Sequence, residues 1–133
     1  MSIYQMLNVT GNDIEERVVE AIQETKEELS GLTTERTCKI YSDSVARNLM
    51  KRHVIQKRID TKKYNYSYDH QFNIVPITEK LSFLIDLCYS QFGDDTYPEL
   101  LQKGYQIIPS TDLSHYLSIV GQAKNDVNGQ KKR

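Results

Sequence analysis

Residues 64–89, YNYSYDHQFNIVPITEKLSFLIDLCY, leave this chain few ways to fold. Tyr64, Tyr66, Tyr68, His70, Phe72 and Ile74 recur at period two, and Leu81 to Leu87 is a compact apolar run. The pattern predicts two antiparallel β-strands joined by a short turn, the first closed by Pro76. With the turn centred on Thr78, Ile74 faces Ser82, Phe72 faces Leu84 and His70 faces Asp86. Directly opposed side chains have Cβ atoms about 4.5 to 5.5 Å apart, within hydrogen-bonding reach of an imidazole and a carboxylate. A two-residue slip leaves the pair diagonal on one face. Only a one-residue slip parts them, and that would also turn the apolar set outward. A carboxylate inside an apolar run is costly to bury alone, and His70 is the partner that the pairing offers it.

Upstream, after the loop LTTERT, the segment CKIYSDSVARNLMKR places Cys38, Tyr41, Val45 and Leu49 on one helical face, with Thr34 or Thr37 available as N-cap. Cys38 then stands in the first turn, where the positive end of the helix dipole and a nearby imidazolium favour the thiolate. The plainer reading of the same residue is a small hydrophobe on a core-facing stripe. A thiol acyl transfer needs a thiolate, a base that takes and returns a proton, and a group that fixes the imidazole tautomer. Cys38, His70 and Asp86 fill those roles in that order. The backbone N–H of Cys38 supplies one oxyanion donor, and the loop before it is the expected place for a second.

A Cys at the head of a helix, the strand His-Gln-Phe-Asn-Ile-Val and the segment Leu-Ile-Asp-Leu-Cys-Tyr-Ser-Gln-Phe together resemble the transglutaminase-like branch of the papain-type thiol enzymes, over roughly residues 34–92. The resemblance implies an α+β fold in which N-terminal helices, one bearing the Cys at its start, pack on a small antiparallel sheet that carries the His and the Asp. It implies a catalytic triad of Cys38, His70 and Asp86 with no cofactor and no metal. The implied activities are peptide hydrolysis, glutamine deamidation and transamidation, all through one thioester, with a protein or peptide as substrate. The small size of the domain favours a selective enzyme over a digestive protease.

The competing reading is a non-catalytic binding module. Residues 51–63, KRHVIQKRIDTKK, are strongly basic, and alternating tyrosines follow to residue 68, a combination that can contact phosphates and stack on bases. The whole chain has a net charge of -1, which gives nucleic-acid binding no support, so the segment is expected to be a solvated connector and His53 a surface residue. Two cysteines without a disulfide framework fit a reducing compartment. The N-terminus lacks the basic and apolar regions of a signal peptide, and no apolar run reaches the ~18 residues of a membrane span. The expected setting is the cytoplasm, with export by a non-classical route left open, and the oligomeric state is not legible.

The remaining chain reads as one domain over 1–121 followed by a polar tail, 122–133. Asn12 and Glu15 have capping-box spacing ahead of an amphipathic helix with Ile14, Val18, Ile22 and Leu29 on its stripe, ending near Gly31 and showing solvent a charged face. Asp94 and Asp95 read as a solvated turn rather than a cation site. PELLQK predicts a short helix stopped by Gly104, YQIIP a third strand, and Leu113, Tyr116, Leu117 and Val120 the apolar face of a last helix, with His115 exposed.

Overall fold

The computed structural model describes residues 11–32 and 37–131, with side chains over 13–32 and 37–122. In chain order the elements are α1 (Gly11–Glu28), α2 (Cys38–Lys51), β1 (Lys57–Asp60), β2 (Gln71–Pro76), β3 (Leu81–Ile85), α3 (Pro98–Lys103), β4 (Tyr105–Pro109) and α4 (Leu113–Lys131). The fold is α+β, as expected. Its antiparallel sheet has the order β1-β2-β3-β4, so each strand pairs with the one that precedes it in the chain.

Both faces of this sheet are covered, because strand residues of opposite parity are apolar. Val75, Phe83, Ile85 and Tyr105 pack with Ile14, Val18, Ala21 and Ile22 of α1 and with Val45 and Leu49 of α2. Phe72, Leu84 and Ile108 pack on the other face with Tyr116, Leu117 and Val120 of α4 and with Tyr89, Phe92 and Leu100. Each such fully buried side chain contributes about 1.5–3 kcal/mol relative to exposure, so neither helical layer is dispensable.

The charged face of α1 is exposed at Glu16, Glu20, Lys26 and Glu27, as expected, and along one edge it is fastened to α2. Glu24 pairs with Lys51 at 2.5 Å and with Arg52 at 2.8 Å, and Glu28 pairs with Arg47 at 2.7 Å. Beneath them Asn48 Nδ2 donates to Thr25 Oγ1 at 3.0 Å and to Glu28 Oε1 at 3.1 Å. The expected capping residue Asn12 lies outside the described side chains. His53 is exposed, as expected, and its left-handed backbone, φ 58°, ends α2 so that Val54 can turn into the core.

The hairpin differs from the sequence reading in three respects. Strand β2 begins at Gln71 rather than Tyr64, because Thr61–Tyr64 forms a 3-10 turn and Asn65 takes a left-handed conformation, φ 67°. Tyr66 and Tyr68 leave the sheet for α4: Tyr68 N–H donates to Gly121 O at 3.0 Å, and the Tyr66 ring lies so close to Gly121 that an added Cβ there would sit 2.5 Å from it. Second, the basic connector contains an edge strand, β1, whose Ile59 lies opposite Phe72.

Third, the register is offset by two residues, so Ile74 faces Leu84 and Pro76 faces Ser82. The cause is the turn, about which the pairing is centred on Glu79 rather than Thr78: Ile77 and Thr78 N–H both donate to Leu81 O, and Thr78 Oγ1 accepts from Lys80 and Leu81 N–H. The parity of the pairing survives this offset. Finally, the helical backbone of α4 continues through residues 122–131, the segment expected to be a polar tail.

Candidate active site

Cys38, His70 and Asp86 stand at the end of the sheet where β2 begins and β3 ends. Continuing the observed register, Asp86 lies across from Phe72 and His70 lies one step further along the same face, a diagonal pair. Imidazole Nε2 and carboxylate Oδ2 are 2.6 Å apart, and both side chains are almost wholly buried. The approach is diagonal because the two-residue offset puts Phe72, not His70, across from Asp86, while the outer neighbours still hold both backbones: Thr61 N–H donates to His70 O and Asp86 N–H to Gly104 O.

Each partner is held separately. Thr61 fixes the backbone of His70: His70 N–H donates to Thr61 Oγ1 at 2.8 Å, Thr61 N–H donates to His70 O at 3.0 Å, and the Thr61 hydroxyl donates to Tyr68 O at 2.5 Å. Rings close around the imidazole, with Phe92 edge-on at 4.7 Å and Tyr68 and Phe72 at 6.5 and 6.0 Å. Asp86 N–H donates to Gly104 O at 3.0 Å, tying β3 to the start of β4. Its Oδ1 accepts from Cys88 N–H at 3.0 Å, and its Oδ2 accepts from the Tyr116 hydroxyl as well as facing His70. A carboxylate with these donors is buried without being orphaned.

Cys38 is the first residue of α2 and half-buried. Thr37 is the N-cap residue but makes no side-chain capping bond, and the first turn has no acidic residue to offset the positive helix end. The thiol lines a narrow hollow with Tyr41, Ser42, Phe72, Asp86 and Leu87 that leaves no room for a water molecule. Burial pushes the His70 pKa down, but the charge and hydrogen bond of Asp86, joined by the Cys38 thiol, outweigh it and hold the imidazole at about 9. Nδ1 is buried and has no hydrogen-bond partner.

The structure thus bonds His70 to Asp86 and places Cys38 in a hollow with Asp86 at the same end of the sheet. The expected place of a second oxyanion donor, the loop before Cys38, lies mostly outside the described residues, since 33–36 are not described. Sequence reasoning missed Thr61 and Tyr116. Tyr116 had a signal: a tyrosine on the apolar stripe of a helix carries a hydroxyl that needs a partner, and one histidine cannot satisfy both oxygens of a buried aspartate.

The other candidates take structural roles. Asp94 accepts from the Tyr89 hydroxyl and from Thr96 N–H at 2.9 Å, so it organises its loop. In the basic stretch, Lys51 and Arg52 pair with glutamates of α1, and Arg58 pairs with Asp43 of α2. Cys88 is buried beside Asp86, and burial followed by the Asp86 charge pushes its thiol pKa far up. Among the described residues no group of three or more His, Cys, Asp or Glu is placed to hold a metal ion, and no helix is long and apolar enough to cross a membrane.

No family model, no curated protein and no solved structure matches this chain.

Proposed function

We propose that the chain is a cysteine-dependent amide hydrolase or acyl transferase acting on a protein or peptide, with Cys38 as nucleophile, His70 as acid and base, and Asp86 as orienter. One observation carries the reading: the imidazole is held at Nε2 by a buried carboxylate, and that carboxylate shares a hollow with a thiol on the first residue of α2. A structural His–Asp pair needs no such third member.

In this mechanism the Cys38 thiolate attacks the amide carbonyl carbon, and the oxyanion forms beside the Cys38 N–H. The His70 imidazolium gives its proton to the leaving nitrogen, the C–N bond breaks, and a thioester remains. Neutral His70 then takes a proton from water or from an amine, which attacks the thioester and releases Cys38. Asp86 keeps the imidazole in one tautomer throughout, as the acid of a triad does. Water gives hydrolysis or deamidation, and an amine gives transamidation. A papain- or transglutaminase-like core is part of this proposal. Of the basic stretch that the alternative would use, Lys51, Arg52 and Arg58 are taken up by acids of α1 and α2, and Lys57, Lys62 and Lys63 are exposed.

The test is to incubate the wild type and Cys38→Ala with candidate protein substrates and follow intact mass. Deamidation adds about 1 Da, transamidation adds the mass of the amine less that of the ammonia released, and proteolysis gives fragments, each through the thioester. A change made by the wild type alone supports the proposal, and equal modification by both proteins sinks it.

A further inference from the structure

Asp86 Oδ2 is shared. It faces His70 Nε2 at 2.6 Å, and the same oxygen accepts from the hydroxyl of Tyr116, which arrives from α4 on the far side of the sheet from α2. Three rings fix the phenol: Phe72 edge-on at 4.9 Å, Tyr97 edge-on at 5.3 Å and Tyr89 at 5.7 Å. Tyr97 is itself anchored by its hydroxyl, which donates to Asp112 Oδ2 at 2.7 Å. The Tyr116 side chain is fully buried, so its hydroxyl has no water to turn to.

We infer that Tyr116 is a positioning residue of this site, whose hydroxyl holds Asp86 in place and draws part of the carboxylate charge away from His70. A donor on Oδ2 stabilises the anion, and a stabilised anion is a weaker acceptor for the imidazole N–H on the same oxygen. The basicity of His70 is therefore a balance between two donors, one on the strand side and one on α4. Burial, then the charge and hydrogen bond of Asp86, keep the phenol protonated far above the ordinary tyrosine range, so it remains a donor over the working pH range. The other titratable groups acting on this trio are Cys38 from α2, Cys88 and Tyr89 from the segment after β3, and Asp69 beside His70. The α4 docking face thereby becomes part of the site rather than only a cover for the sheet.

The catalytic meaning of Tyr116 rests on the triad reading, but its test does not use turnover. The His70 imidazole is titrated by NMR in the wild type, Tyr116→Phe, Asp86→Asn and the double variant. Removing the hydroxyl should raise the His70 pKa by roughly one pH unit, the scale of one hydrogen bond to a charged acceptor. In the Asp86→Asn background the same change should do nothing, because the effect travels through the carboxylate. An unchanged His70 titration in Tyr116→Phe, or an equal rise in both backgrounds, overturns the inference.

A second measurement needs no variant. The Tyr116 hydroxyl proton should be seen in the wild type as a slowly exchanging downfield resonance that moves as His70 titrates. A phenolic proton insensitive to that titration overturns the inference too. Both readouts stand even if Cys38 proves inert, and the mass experiment stands even if Tyr116 proves silent.

Discussion

His70 and Asp86 are bonded across a diagonal of the β2–β3 hairpin, with Nε2 and Oδ2 2.6 Å apart just beyond the last paired residues, Asn73 and Ile85. The carboxylate takes further donors from Cys88 N–H and the Tyr116 hydroxyl, while the second imidazole nitrogen is buried without a partner.

Asp86→Asn is expected to keep the fold and remove the activity. Asn retains an oxygen for Cys88 N–H, but its amide group meets His70 Nε2 as a donor and forces the other tautomer. In a serine triad the equivalent change costs about four orders of magnitude in rate. Circular dichroism and a mass-based rate measurement on the variant check both halves. A fully active Asp86→Asn would mean that His70 needs no orienter.

Stability should fall as pH rises from about 6.5 towards 9. The His70 pKa is raised to about 9 in the fold, so the folded protein holds that proton more tightly than the unfolded chain. Its contribution is complete below the unfolded value of about 6.5 and is lost as pH climbs through the folded value, amounting to about 3 kcal/mol at most. Urea midpoints at a series of pH values measure the slope. The slope should flatten in Asp86→Asn, where the charge that raises the pKa is gone; an unaltered slope would locate its source elsewhere.

The two cysteines should differ sharply toward iodoacetamide. Cys38 is half-buried at a helix start, whereas Cys88 is buried and its thiol is pushed far up. Peptide mapping after brief labelling near neutral pH should find Cys38 modified and Cys88 untouched until the protein is unfolded. Native labelling at Cys88 instead would contradict the packing around Asp86.

Thr61→Ala should weaken both fold and site. The hydroxyl accepts from His70 N–H and donates to Tyr68 O in a fully buried position, so its loss strands two backbone groups. Buried groups left unpaired cost about 1–3 kcal/mol each, and the lower end is expected here because the Thr61 N–H bond to His70 O remains. A denaturant midpoint gives the first effect, and broadening of the His70 imidazole resonances gives the second. A Thr61→Ser protein should recover most of both.

Much of this molecule was determined by pattern alone. The stripe Ile14, Val18, Ile22 produced α1, the stripe Tyr41, Val45, Leu49 produced α2, and the run 81–85 produced β3, because an apolar face with the right period has one way to be buried. The meeting of His70 with Asp86 was legible for a stronger reason: parity along a strand is unchanged by a two-residue offset, so the offset that occurred did no harm.

What sequence did not contain was decided by contacts between distant segments. Period two in Tyr64, Tyr66 and Tyr68 looked like strand, but Thr61 and Asn65 turn the backbone there and Gly121 of α4 takes the Tyr68 N–H that a neighbouring strand would have taken. Strand β1 was hidden because an edge strand needs only one buried residue, Ile59, and carries its charges outward. Tyr116 reached Asp86 only because α4 packs over the opposite sheet face from α2. A hydrogen bond between residues thirty positions apart is set by where two layers meet a sheet, and no local period encodes that.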